Sequence, residues 1–294
     1  MSNRPASLGK CCVAELIGTL WLVLFGCGAV HVAVLDGSLS GLWQVAVVWG
    51  LAIMTAIFLF GGISGAHINP AITVGLAVWG RFPKRFVLPY MASQFTGAFL
   101  AAAMLYTAFS PHLAKKESQL GLIRGQMGSE ITAGCYGEYF PNPGLLAATR
   151  PASSVEAYEF WQSHVSWPVA FGAEFVGTLV LAWVVCAVTN PHNPTAPPSQ
   201  MAPVFIGLTV SMLICVIAPL TQACFNPARD FGPRLFARLA GWGDVALPLN
   251  VKLLPFLAVY AAAPILGSIV GIGLHRTFTA YEPSEKPHTK ESAS

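Results

Sequence analysis

The chain has 294 residues, 54% hydrophobic and only 10% charged, with a mean hydropathy of +0.60. A water-soluble domain carries about 25% charged residues, so this composition excludes one and points to a membrane protein. The formal net charge of +3 is small and dispersed, with no basic run, which leaves no footprint for nucleic acid.

In chain order, residues 2–10 form a short polar lead, followed by an apolar run of spanning length without a small-residue cut site; no cleavable leader is expected. Runs long enough to cross ~30 Å of hydrocarbon fall at residues 11–35, 42–61, 86–109, 169–189, 201–220 and 253–275, giving six spans. Two further segments, 69–78 and 226–240, have a helical pattern but reach only about halfway across. Each opens on Asn-Pro-Ala, as Asn69-Pro70-Ala71 and Asn226-Pro227-Ala228. Asparagine is a favoured N-cap and proline suits the first helical position, so each triplet reads as a helix start.

Connectors differ in length. Residues 110–168, rich in Gly, Pro and polar residues, carry Lys115, Lys116, Arg124 and Arg150 against Glu117, Glu130, Glu138, Glu156 and Glu159, and are expected outside. Arg4, Lys10, Arg81, Lys84, Arg85, Arg276, Lys286 and Lys290 then face the cytoplasm with both termini, as the positive-inside tendency prefers, while Arg234, Arg238 and Lys252 fall on the other side. The Pro-rich link 190–200 and the tails 1–10 and 276–294 read as solvated connectors of one domain. Seven cysteines form no CxxC pair and no ligand spacing with histidine, and Cys11, Cys12, Cys27, Cys186 and Cys215 lie in apolar runs as small packing residues. Acylation of Cys11 and Cys12 is the less favoured alternative. No metal or cofactor is implied.

The chain repeats itself. Ala14-Glu15-Leu16-Ile17-Gly18-Thr19-Leu20 returns as Ala173-Glu174-Phe175-Val176-Gly177-Thr178-Leu179, 159 residues on, and Asn69 returns as Asn226, 157 residues on. Three spans per half require the second half (169–275) to enter the membrane inverted relative to the first (11–109). A half-length helix leaves its end groups without partners, which is tolerable only inside protein or along a watery path. Two such helices entering from opposite faces would meet at the midplane with Asn69 and Asn226 side by side, and their dipoles would repel cations.

With these residues in place the chain resembles the major intrinsic proteins, the aquaporin and aquaglyceroporin channels, from about residue 11 to 275. The likeness rests on Ser64-Gly65-Ala66-His67-Ile68-Asn69-Pro70-Ala71, on Asn226-Pro227-Ala228-Arg229-Asp230-Phe231-Gly232-Pro233-Arg234, and on the paired Ala-Glu-x-x-Gly-Thr starts. Asp230, Arg234 and Pro264-Ile265 match the glycerol-facilitator branch. The resemblance implies an all-α integral membrane protein of six spans and two half-helices, a passive ion- and proton-excluding channel and not an enzyme. It further implies a homotetramer with one pore per subunit, set in membrane lipid of a plasma membrane or bacterial inner membrane. The carbonyls of Gly65, Ala66 and His67, and of Gln222, Ala223 and Cys224, would form an acceptor ladder, with the Asn69 and Asn226 amides donating at its centre.

By the same likeness the constriction comprises Trp49, Ile214, Ala223 and Arg229. Typical glycerol facilitators carry Gly and Phe where this chain has Ile214 and Ala223. The set Trp, aliphatic, Ala, Arg is similar to that of the plant nodulin-26-like channels, which pass glycerol, some water and neutral metalloid hydroxides. Glycerol is therefore the first expected solute, followed by urea and arsenous or boric acid, then water. Arg229 is expected to face the path, the alternative being an ion pair with Asp230. Glu15, Glu174 and Asp230 are expected to support the half-helices, against a proton-coupling alternative for the two glutamates. His67 is expected to be structural through its side chain, and Cys224 to be open to mercurials.

Two other classes share features of this sequence. Gly62-Ile63-Ser64-Gly65 matches the GxSG of rhomboid-type intramembrane proteases with His275 cast as base, a short glycine-rich match. Secondary transporters also use inverted repeats and broken helices.

Overall fold

The computed structural model describes residues 6–148, 151, 153–249 and 253–279, so Arg4, Arg150, Lys252, Lys286 and Lys290 lie outside the described residues. Among the described residues six helices are long and apolar enough to cross a membrane, each overlapping one expected run. The first half holds α1 (Leu8–His31, continued by a π turn over Val32–Asp36), α2 (Leu42–Ser64), the short α3 (Pro70–Val78) and α4 (Val87–Leu120). The second holds α5 (Trp167–Thr189), α6 (Ala202–Thr221), the short α7 (Pro227–Ala237) and α8 (Leu253–Phe278), which contains a π turn over Ala258–Ala262.

Two boundaries differ from the sequence reading. The third span does not stop at residue 109: α4 runs through Pro111 to Leu120 and ends on Gly121, which takes a left-handed φ of 64°. The apolar run marks the hydrocarbon, whereas the helix carries on into polar sequence where Lys115, Lys116 and Glu117 sit. The second half-helix gives way to a π turn, Arg238–Trp242, after Ala237.

Lipid offers helices no hydrophobic reason to associate, so close van der Waals approach between small residues has to hold them. The structure uses the repeat for this. A Cβ on Gly97 of α4 would lie 2.1 Å from the Leu16 carbonyl oxygen of α1, and one on Gly267 of α8 would lie 2.3 Å from that of Phe175 on α5. Where α2 crosses α6, Gly50 and Gly207 back onto each other's carbonyls, and a Cβ on either would come within 2.6 Å. Each half-helix then packs against the last span of the opposite half, α3 on α8 and α7 on α4. Trp79, just past α3, donates through Nε1 to the Ile269 carbonyl of α8 at 2.8 Å. The two halves are thus interlocked, and the half-helices are enclosed by protein.

The long connector has a packed core of its own, built on Leu122, Ile131, Leu146 and Trp161. It carries three short helical segments, Glu130–Ala133, Pro143–Ala148 and Val155–Ser163. Arg124 fastens it to the bundle, pairing with Glu117 at 2.9 Å and lying 4.1 Å over the Trp242 ring at the end of α7.

Candidate functional site

The segments leading into α3 and α7 are not regular. Ala66, Ile68, Gln222, Ala223 and Phe225 hold positive φ between 42° and 64°, a conformation that costs a non-glycine residue roughly 1–3 kcal/mol. A buried carboxylate offsets that cost in each half. Glu15 Oε1 accepts from Ser64 Oγ (2.7 Å) and His67 N (2.9 Å), and Oε2 from Ile68 N (2.7 Å) and Gln94 Nε2 (2.8 Å). Glu174 Oε1 accepts from Thr221 Oγ1 (2.6 Å) and Cys224 N (2.9 Å), and Oε2 from Phe225 N (2.8 Å). With the N–H groups turned to the carboxylates, the carbonyls are left over. Among the described residues, those of Gly65, Ala66 and His67, and of Gln222, Ala223 and Cys224, accept no hydrogen bond from the chain.

Asn69 and Asn226 cap their helices, accepting through Oδ1 from Ala71 N (2.8 Å) and Ala228 N (3.1 Å), with Pro70 and Pro227 at the first helical position. Their amides cross between the halves: Asn69 Nδ2 donates to the Phe225 carbonyl at 2.9 Å, and Asn226 Nδ2 to that of Ile68 at 2.8 Å. Each amide has two N–H groups, so one remains. A cavity of about 630 Å³ reaches both asparagines, with Gly65, Ala66 and His67 on one wall and Ile53, Ile57, Leu181, Ile206 and Val210 among the apolar residues opposite.

Trp49, Ile214, Ala223 and Arg229 are each 4–5% exposed, and the Arg229 guanidinium lies 4.2 Å over the Trp49 ring. Gly26 of α1 makes room for that ring, because a Cβ there would sit 2.3 Å from it. A second cavity of about 380 Å³ is bordered by Val45, Asn142 and Gln222. Trp49 is one helical turn from Val45, and Ala223 adjoins Gln222.

Arg229 is ion-paired, but not with Asp230. Its Nη1 meets Glu138 of the long connector, and both side chains are almost fully buried. Asp230 instead pairs with Arg234 (2.8 Å) and accepts from the Glu138 backbone N–H (2.6 Å). Sequence reasoning counted Glu138 only as a loop charge. The available signal was Arg234 itself: four residues after Asp230 on a helix, it claims that carboxylate and leaves Arg229 in need of another.

Cys224 differs from expectation. It lines neither cavity: its side chain packs in one cluster with Phe256, Val259 and Tyr260, and its thiol donates to the Asn226 carbonyl at 3.3 Å. His67 Nδ1 lies 3.2 Å from Thr73 Oγ1 and its ring packs on Phe82 and Tyr90. Ser64 donates to Glu15 while His275 neighbours Asn190 at the far end of α8; no hydrogen bond joins the two, which removes the protease dyad.

A protein-family model described as major intrinsic protein matches residues 2–275. The glycerol uptake facilitator protein of Escherichia coli (strain K12) is 37% identical over 274 residues, covering 93% of this chain and 89% of the relative. The propanediol uptake facilitator of Citrobacter freundii is 36% identical over 270 residues, covering 92% of each. Among solved structures, the aquaglyceroporin from Plasmodium falciparum superimposes with a TM-score of 0.73 at 22% identity, covering 92% of this chain and 96% of that one, a likeness of fold.

Proposed function

The chain belongs to the major intrinsic protein family, as a multi-pass membrane channel for small neutral solutes and not an enzyme, and we propose that its chief cargo is glycerol and related short polyols. The relatives named for glycerol and propanediol uptake support that choice, and one observation carries the mechanism: six uncommitted carbonyls flank two cross-tied asparagines. A polyol entering the path sheds water and finds acceptors at Gly65, Ala66, His67, Gln222, Ala223 and Cys224, and one donor from each of Asn69 and Asn226. The apolar wall faces its carbon side, so desolvation is offset without tight binding, as conduction requires. The converging positive ends of α3 and α7, with Arg229, exclude cations and break a proton wire.

Trp49, Ile214, Ala223 and Arg229 form the filter in this proposal, with Glu138 fixing the guanidinium from behind. Urea, arsenous or boric acid and water are secondary cargo, because Ala223 leaves out the second aromatic that narrows typical glycerol facilitators. The face carrying Lys10, Arg81, Lys84, Arg85 and Arg276 is cytoplasmic, with both termini; the connector at 110–168 is external, and the subunit works as a homotetramer. The repeats at 11–109 and 169–275 make a single channel domain.

Proteoliposomes challenged with water, glycerol, urea and arsenous acid, followed by light scattering or arsenic uptake, test this. Glycerol flux is expected to rise linearly through millimolar solute and to ignore Na⁺ and proton gradients. Saturation together with gradient dependence would indicate a transporter and sink the proposal.

A further inference from the structure

On the face where both described ends of the chain lie, α3, α5 and α8 finish close together. A cleft of about 350 Å³ opens there among Trp79, Arg81, Asn190, His275, Arg276 and Thr279. Among the described residues neither Arg81 nor Arg276 has a carboxylate partner. Arg81 uses one N–H on the Cys186 thiol (Nη1 to Sγ, 3.0 Å), and Arg276 lies 5.7 Å from the Trp79 ring centroid. His275, only 4% exposed, also lines the cleft; its Nδ1 has no hydrogen-bond partner, and its Nε2 is 3.3 Å from the Asn190 amide nitrogen.

Three helix C-termini bring partial negative charge to the same place, which is the ordinary reason for basic residues there. Several of the end carbonyls are already occupied, however. That of Leu76 accepts from Arg81 N (2.8 Å), that of Ala77 from Gly80 N (3.3 Å), that of Asn190 from Asn193 N (3.1 Å), and that of His275 from Thr279 N (2.9 Å). The two guanidiniums therefore keep most of their ten N–H donors for something else.

We propose that this cleft binds a phosphate group, with Arg81 and Arg276 as the charged donors and Asn190 and His275 as the polar floor. A phosphate offers several strong acceptor oxygens to the planar fork of an arginine, and a concave basic site between helices at a membrane face is where such an anion gathers. Two sources bring that chemistry to this depth, a glycerophospholipid headgroup of the facing leaflet and a soluble phosphate ester. Arg81 and Cys186 also line the 630 Å³ cavity, so an occupant engages a side chain of the conducting path. Binding is read here without flux, and the proposal stands or falls separately from the cargo.

The full-length protein in neutral detergent is titrated with sodium phosphate against sodium chloride at equal ionic strength, following thermal unfolding. In parallel it is equilibrated with phosphatidylcholine vesicles with or without phosphatidylglycerol, and the lipid it retains is counted by native mass spectrometry. Stabilisation by phosphate, or preferential retention of phosphatidylglycerol, is expected to fall at least about fivefold in Arg81→Gln/Arg276→Gln and to persist in Lys115→Gln. A phosphate response alone assigns the soluble ester, and lipid retention alone assigns the headgroup. Equal behaviour of wild type and double variant in both assays overturns the site. Should the double variant not fold, Arg276→Gln is read in its place against Arg276→Lys, with loss in the former and retention in the latter expected.

Discussion

The surroundings of Asn69 and Asn226 share one frame and differ in charge. On the first side Glu15 is the carboxylate under the loop, and its partners are a hydroxyl, two backbone N–H groups and the Gln94 amide. Gln94 in turn reaches Thr73 at 3.1 Å. On the second side Thr73 is matched by Asp230, 157 residues on, and Asp230, Arg234, Arg229 and Glu138 form two buried ion pairs beside Glu174. The duplicated frame holds two irregular loops in place, and among the described residues the second side alone adds buried ion pairs to it. The wide, mostly apolar cavity draws on both halves, with Ile53 and Ile57 beside Leu181 and Ile206, whereas the buried ion pairs around Asp230 and Arg229 have no counterpart in the first.

The comparison can be broken at the frame first. Glu15→Ala orphans four donors and Glu174→Ala three, each costing about 1–3 kcal/mol in a buried setting. Both variants are expected to lose monodisperse protein and nearly all glycerol flux, measured by size exclusion and light scattering. A healthy variant on either side would show that the carboxylates are not equivalent supports.

Next come the charges. Glu138→Ala leaves the Arg229 guanidinium buried without its partner, a loss of roughly 3–5 kcal/mol that should appear as a lower unfolding temperature, with Arg229→Ala/Glu138→Ala recovering part of it. Unchanged stability in the single variant would mean the pair is not formed. Arg229→Ala should keep glycerol flux within about threefold while raising urea and proton leak severalfold, since it removes a cation from the proposed filter; the same panel on Gln94→Ala, which removes a neutral donor to Glu15 in the first half, should show no gain in proton leak. The smallest effect sits at the wall itself. Ala223→Phe adds an aromatic beside Trp49 and should shift the glycerol to arsenous acid ratio by about two- to fivefold. An unmoved solute ranking in both Arg229→Ala and Ala223→Phe would place the filter elsewhere.

The spans were legible because lipid imposes a length and a composition on every crossing, and the inverted arrangement because Ala14 to Leu20 and Ala173 to Leu179 carry the same markers. The meeting of Asn69 and Asn226 could be read from the repeated Asn-Pro-Ala and its spacing, whereas the six carbonyls were expected only through family likeness. Glu138 was not legible in the same way, since it meets Arg229 from 91 positions away across a connector with no periodicity. Cys224 misled for a related reason: neighbouring residues in an irregular loop point to different surroundings, and its side chain turns to Tyr260 while the Ala223 beside it packs with Trp49 and Ile214 in another cluster. The far end of α4 was missed because hydropathy sees the bilayer and not the helix.

Interlocking also sets an order of manufacture. Translation delivers α3 with the first half, yet the span it packs on, α8, emerges almost 200 residues later, and the carbonyl that takes the Asn69 amide belongs to Phe225. Until then a half-length helix must wait beside lipid with its end groups unanswered. A chain truncated before α8 should thus be recognised as unfinished by the cell's membrane proteases, even though most of its spans are already in place.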